Sequence, residues 1–134
     1  MNAIANLSPQ IVWKNFYDLT QIPRPSKFEQ EAAKYICDFG KKLGLESFQD
    51  EVGNVIIRKP ATPGMEDRMG IILQAHIDMV PQKNNDVEHD FKKDPIKPRI
   101  VDNMVYATGT TLGADNGLGC AVAMAVLEQK DLVH

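Results

Sequence analysis

The sequence predicts an α/β fold, a mixed sheet flanked by helices, on three observations. Apolar residues recur at helical spacing in three separate stretches. A continuous apolar run from Gly70 to Ala75 reads as a strand buried on both faces. Short β-rich segments on either side of it are bounded by turn residues. At 134 residues, with 43% hydrophobic and 25% charged, the chain is long enough for one globular domain that buries about two-thirds of its unfolded surface.

Ser8-Pro9 opens the first helix, with the serine placed to cap and the proline in the first turn, where its missing N–H costs nothing. Val12, Phe16 and Leu19 form its apolar stripe, and the helix breaks before Pro23 and Pro25. Ser26 and Glu29, three residues apart, have the pattern of a capping box. They precede a second helix carrying Phe28, Ala32, Tyr35, Ile36, Phe39 and Leu43, which Gly44 is placed to stop. The period then changes. Segments 47–50 and 54–58 flank Val52-Gly53 as a hairpin, 60–68 is turn-rich, and the apolar run 70–75 leads into His76 and Asp78 at the carboxyl end of its strand. Residues 81–98 show little periodicity and read as loop, followed by short strands near 99–101 and 104–107 and a second loop, 109–113. From Asn116 a helix begins that is apolar on every side, Leu118, Ala121, Val122, Ala125 and Val126 on one face and Cys120, Ala123, Met124 and Leu127 on the other. Such a helix needs cover all round. Met79, Met104 and Met124 read as packing residues. Neither a repeat nor a linker is present.

Composition excludes several classes. A net charge of −3 with scattered Lys and Arg provides no basic stripe, so nucleic acid is not an expected partner. Cys37 and Cys120 both lie within apolar helical patterns, which suits reduced, unreactive thiols in a cytosolic protein. The segment 1–6 lacks the positive and apolar parts of a secretory signal, and no apolar run approaches the ~20 residues of a membrane span. A cytoplasmic protein without membrane contact is the expectation.

The residues with chemical promise are His76, Asp78 and Asp115. Imidazole and carboxylate are the donors of a hydrolytic zinc site. A strand reaching 76–78 would place His76 and Asp78 on one face, so that one could bind a metal and the other orient it. His76 could equally be a strand-end histidine satisfied by a carbonyl, and Asp78 a turn former. Asp115, flanked by Gly113 and Gly117, stands just ahead of a helix and could be either its N-cap or a metal ligand. Thr110 and Thr111 could donate near Asp115 or close a turn. The acidic loop 86–94, with His89 between Glu88 and Asp90, reads as solvated surface. A catalytic zinc needs three protein ligands and a water, yet no further His, Asp or Glu cluster follows Asp115, so the chain reads as part of a longer enzyme.

Three segments together, His76-Ile77-Asp78-Met79-Val80, His89-Asp90-Phe91 with Asp94-Pro95-Ile96, and Gly109-Thr110-Thr111-Leu112-Gly113-Ala114-Asp115-Asn116-Gly117, closely resemble the aminoacyl-histidine dipeptidases. These are a cytosolic branch of the dinuclear-zinc peptidases. The resemblance implies that residues 1–134 are the N-terminal portion of a zinc-exopeptidase catalytic domain, without its remainder or its lid domain. It implies His76 as a ligand of one zinc, Asp115 as the carboxylate bridging two zincs, and Asp78 as a catalytic residue supporting the His76 side. The family's adjacent glutamates, which supply the general base and a ligand, have no counterpart here. The implied reaction is hydrolysis of a dipeptide, with aminoacyl-histidine preferred, by zinc-activated water. Other expectations compete: another peptidase or amide deacylase of the same superfamily, or a non-catalytic interaction domain retaining the fold. The isolated chain is expected to bind metal weakly, to be inactive, and to self-associate through apolar surface near 121–127.

Overall fold

Helix α1 (Gln10–Thr20) starts one residue later than its capping pattern suggests. Pro9 is the N-cap, its carbonyl accepting from the N–H groups of Val12 and Trp13, and no side chain caps the helix. Ser8 is therefore outside capping position. The computed structural model describes residues 3–134, so Met1 and Asn2 of the segment unlike a secretory signal lie outside the described residues. A short 3-10 helix, Ala3–Asn6, precedes α1 and buries Ile4 and Ala5.

Helix α2 (Gln30–Lys42) also departs from its capping pattern. Glu29 is the N-cap and no side chain caps the helix. Lys27 takes a left-handed backbone (φ 74°), so the chain turns after Ser26 and the helix begins too late for the serine to reach its amides. At the other end Leu43 is the C-cap, with Gly44 following as expected and donating to the Lys41 carbonyl.

The chain then forms β1 (Glu46–Gln49) and β2 (Val55–Arg58), an antiparallel hairpin with Phe48 opposite Ile56. A second antiparallel hairpin pairs β3 (Pro98–Val101) with β4 (Met104–Ala107). Helix α3 (Ala114–Glu128) ends the regular structure. The fold is α/β, helices with small sheets.

Two apolar clusters meet on α3. One joins Phe16 of α1, Ile4 and Ala121; the other joins Leu19, Ile36 of α2, Cys120 and Met124, with Ala75 and Ile77 packed against it. Burying a side chain of this size contributes about 1.5–3 kcal/mol. Glu128 accepts from Asn15 Nδ2 at 2.7 Å, and Lys59 Nζ donates to the carbonyls of Val126 and Gln129, satisfying the carboxyl end of α3.

Two further expectations are corrected. The run 70–75 forms no strand; Ile71 and Ile72 are 85% and 90% exposed, because no neighbouring strand pairs with them among the described residues. Uncovered apolar surface lies at 69–73 as well as on α3, where Val122 is 47% exposed while Ala121, Met124 and Ala125 are buried. Met104 is exposed rather than packed, whereas Met79 and Met124 are buried.

Candidate metal centre

The segment 76–79 reaches its position without a strand ladder. Ala75 and Ile77 face the core cluster, and the alternate residues His76 and Asp78 meet on the other side, His76 Nδ1 lying 3.0 Å from Asp78 Oδ1. The expected shared face survives although the strand does not. Tertiary hydrogen bonds hold the backbone instead. Cys120, one turn into α3, donates its thiol to the His76 carbonyl, and burial pushes that thiol's pKa up, keeping it protonated.

Arg24 is the main brace. It is 2% exposed, and its guanidinium donates to the carbonyls of Ile77 (2.9 Å), Asp78 (3.3 Å) and Gly113 (2.8 Å). One cation thus ties the loop bearing His76 and Asp78 to the loop bearing Asp115. Gly113 and Gly117 admit it: a Cβ at either would stand 2.7 Å from Arg24 Nη2, and Gly113 also needs its left-handed φ of 73°. Burial lowers the Arg24 pKa from its ordinary value. Met79 N–H donates to the Arg24 carbonyl and Ser26 N–H to the Met79 carbonyl, a short parallel bridge. On the far side Thr111 donates its hydroxyl to the Val80 carbonyl at 2.6 Å, so the threonine closes loops rather than serving Asp115.

Helical dihedrals in α3 fail at Asp115 and Asn116, so its regular part starts at Gly117. Asn116, not Asp115, is the cap, its Oδ1 accepting from the Gly119 N–H at 3.0 Å. Asp115 is thereby free of capping, and its Oδ1 lies 3.0 Å from His76 Nε2.

The three sequence-derived candidates are therefore brought together in the order Asp78, His76, Asp115. Ser26, which sequence patterning assigned to a helix cap, extends the chain: its hydroxyl donates to Asp78 Oδ2 at 2.5 Å. That bond, followed by His76, holds the Asp78 pKa below the ordinary carboxylate value. His76 is pushed up, chiefly by Asp115 and then by Asp78. Arg24 carried no sequence signal beyond its place between two prolines.

The donor chemistry suits a cation. With Asp78 on the Nδ1 proton, a neutral His76 turns its Nε2 lone pair toward a carboxylate oxygen, and two acceptors 3.0 Å apart repel unless a proton or metal ion satisfies both. Asp115 is 95% exposed, which leaves the pair open to solvent. Both His76 and Asp78 line a groove of about 1620 Å³ with Ile71, Ile72, Met124 and Leu127. Among the described residues no group of three or more His, Cys, Asp or Glu is arranged so that all of them could hold one metal ion. His89 instead lies edge-on to Phe91 with ring centroids 4.5 Å apart, and the loop's Asp90 and Asp94 accept backbone N–H bonds within their own turn.

No family model matches the chain. Over its whole length it is 54% identical to the cytosol non-specific dipeptidase of Escherichia coli strain K12, of which it covers 28%. It superposes on the crystal structure of aminoacylhistidine dipeptidase from Vibrio alginolyticus with a TM-score of 0.96 and 52% identity, covering 99% of this chain and 27% of that one. It superposes on aminopeptidase PepT from Bacillus cereus with a TM-score of 0.66 and 26% identity, covering 90% of this chain and 32% of that one. The chain thus resembles the aminoacyl-histidine dipeptidases from end to end while spanning little more than a quarter of their length.

Proposed function

We propose that these 134 residues are the N-terminal portion of the catalytic domain of a dinuclear-zinc dipeptidase, cytoplasmic in location, and that they contribute His76 and Asp115 to its metal centre. The observation that carries this reading is the convergence of His76 Nε2 and Asp115 Oδ1 at 3.0 Å, with Nδ1 engaged by Asp78. High identity to two dipeptidases across the whole chain supports the same reaction class.

In this reading His76, through Nε2, and the Asp115 carboxylate would hold the zinc. Asp78 is a positioning carboxylate: it selects the tautomer of His76 and makes the ring a better donor. Zinc bound there would polarise the scissile carbonyl and lower the pKa of water, the chemistry that peptide hydrolysis needs. The further donors and the general base come from outside residues 1–134, so the isolated chain binds metal weakly and does not turn over.

Dipeptides are the proposed substrates, with aminoacyl-histidine preferred, after the Vibrio relative's name. The E. coli relative's name points to broader use. The test uses the full-length protein on a panel of aminoacyl-histidine dipeptides, other dipeptides and acylated amino acids. Chelation is expected to abolish hydrolysis and zinc to restore it. His76→Ala and Asp115→Ala should each lower kcat/KM by at least about 100-fold while the protein stays folded, as expected for loss of a metal ligand. Wild-type turnover in both variants would refute the reading, and turnover confined to acylated amino acids would replace dipeptidase with deacylase.

A further inference from the structure

Ser26 stands where a capping box would put a helix cap, yet it caps nothing, and its hydroxyl is spent on Asp78 Oδ2 at 2.5 Å. A carboxylate next to an imidazole has two equivalent oxygens and can rotate between them. Here one is held by a hydroxyl proton, which commits the other to His76 Nδ1. The serine itself is held. Its N–H donates to the Met79 carbonyl at 3.1 Å, the Met79 N–H donates to the Arg24 carbonyl at 3.0 Å, and the Arg24 guanidinium grips the Ile77 and Asp78 carbonyls. The hydroxyl's other acceptor within reach, the Met79 carbonyl at 3.4 Å, already takes the Ser26 N–H.

We propose that Ser26 is a positioning residue of the metal centre, acting through Asp78 to fix the tautomer and orientation of His76 so that Nε2 faces Asp115. The inference rests on the reading of His76 and Asp115 as metal-holding residues. Partners of this kind, one bond beyond the ligand, commonly change metal affinity 10–100-fold. Ser26 stands one bond further away and is exposed, so a smaller effect, about three- to tenfold, is expected on its removal.

The experiment compares wild-type full-length protein with Ser26→Ala, Ser26→Thr and His76→Ala. Zinc affinity is read by competition with a chromophoric chelator. In the metal-free protein, at a pH above the raised His76 pKa where the ring is neutral, long-range proton–nitrogen NMR reads which His76 ring nitrogen carries the proton. Ser26→Ala is expected to mix the two tautomers, to weaken zinc about three- to tenfold and to lower kcat with little change in KM. Ser26→Thr, which keeps the hydroxyl, should restore all three. A wild-type tautomer and zinc affinity in Ser26→Ala would overturn the role of Ser26. Retention of zinc by His76→Ala would instead overturn the metal-centre reading, so the two failures are distinguishable.

Discussion

Residues 69–73 and 75–79 are neighbours in one short stretch of chain, and they behave in opposite ways. The first group is the most apolar part of the region, yet Met69, Ile71 and Ile72 are 85–91% exposed and form no ladder. The second is mixed in composition, yet it is held by Arg24, Cys120, Ser26 and a parallel bridge to Pro25. Apolarity makes a segment willing to be buried; only a partner makes it a strand. The site does not wait on that partner, because its geometry is held by side-chain to carbonyl bonds from elements already present.

The sharpest way to break this contrast is to remove the brace. Arg24→Met leaves three carbonyls without their donor, and denaturant unfolding is expected to show a loss of about 3–5 kcal/mol, the cost of breaking a buried charged network. A loss below about 1 kcal/mol would mean that the loops are held by something else. Gly113→Ala attacks the same brace from outside. Its Cβ meets both Arg24 Nη2 and Met79 Sδ within 3 Å at a left-handed backbone, so about 2–4 kcal/mol is expected. The unfolding midpoint measures this too.

A smaller effect is expected from protons. The His76 pKa is raised above its ordinary 6.5 by Asp115 and then Asp78. Its contribution to stability is therefore complete below about pH 6.5 and is lost as the pH rises through the raised folded value. In chelator-treated protein the thermal midpoint should fall as the pH rises above 6.5, and His76→Gln should flatten that slope. Parallel slopes would show that the two carboxylates do not stabilise the charged ring. The smallest effect belongs to the exposed run. Ile72→Ser should change the stability of the isolated chain by less than about 0.5 kcal/mol while reducing self-association in sedimentation velocity. A large stability loss would mean that the run is buried in solution.

The candidate site was legible in part. His76 and Asp78 were placed on one face by alternation alone, and alternation held because Ala75 and Ile77 pack inward even without a strand. Asp115 was ambiguous, since a carboxylate ahead of a helix serves equally as cap or ligand. Asn116 makes the capping bond to the Gly119 N–H, which leaves the Asp115 carboxylate facing His76. The capping pattern at Ser26 misleads, because it records spacing but not where the helix begins, and the turn at Lys27 delays α2 until Gln30. Arg24 was not legible at all. Its three acceptors are backbone carbonyls, which have no sequence signature, and two of them lie more than fifty residues from it and the third more than eighty.

By itself the sequence determined the local elements. Helical periodicity, the hairpin turn and the short β segments depend on near neighbours, so α1, α2, both hairpins and the body of α3 appear within a few residues of where the pattern puts them. It also determined which side chains could carry chemistry, since donor type is a property of the residue. Only the tertiary structure decided which of them meet. It turned Ser26 from cap to partner of Asp78, released Asp115 from the helix, and left 69–73 unpaired. Those outcomes depend on contacts between residues far apart in the chain, whose geometry no local pattern encodes.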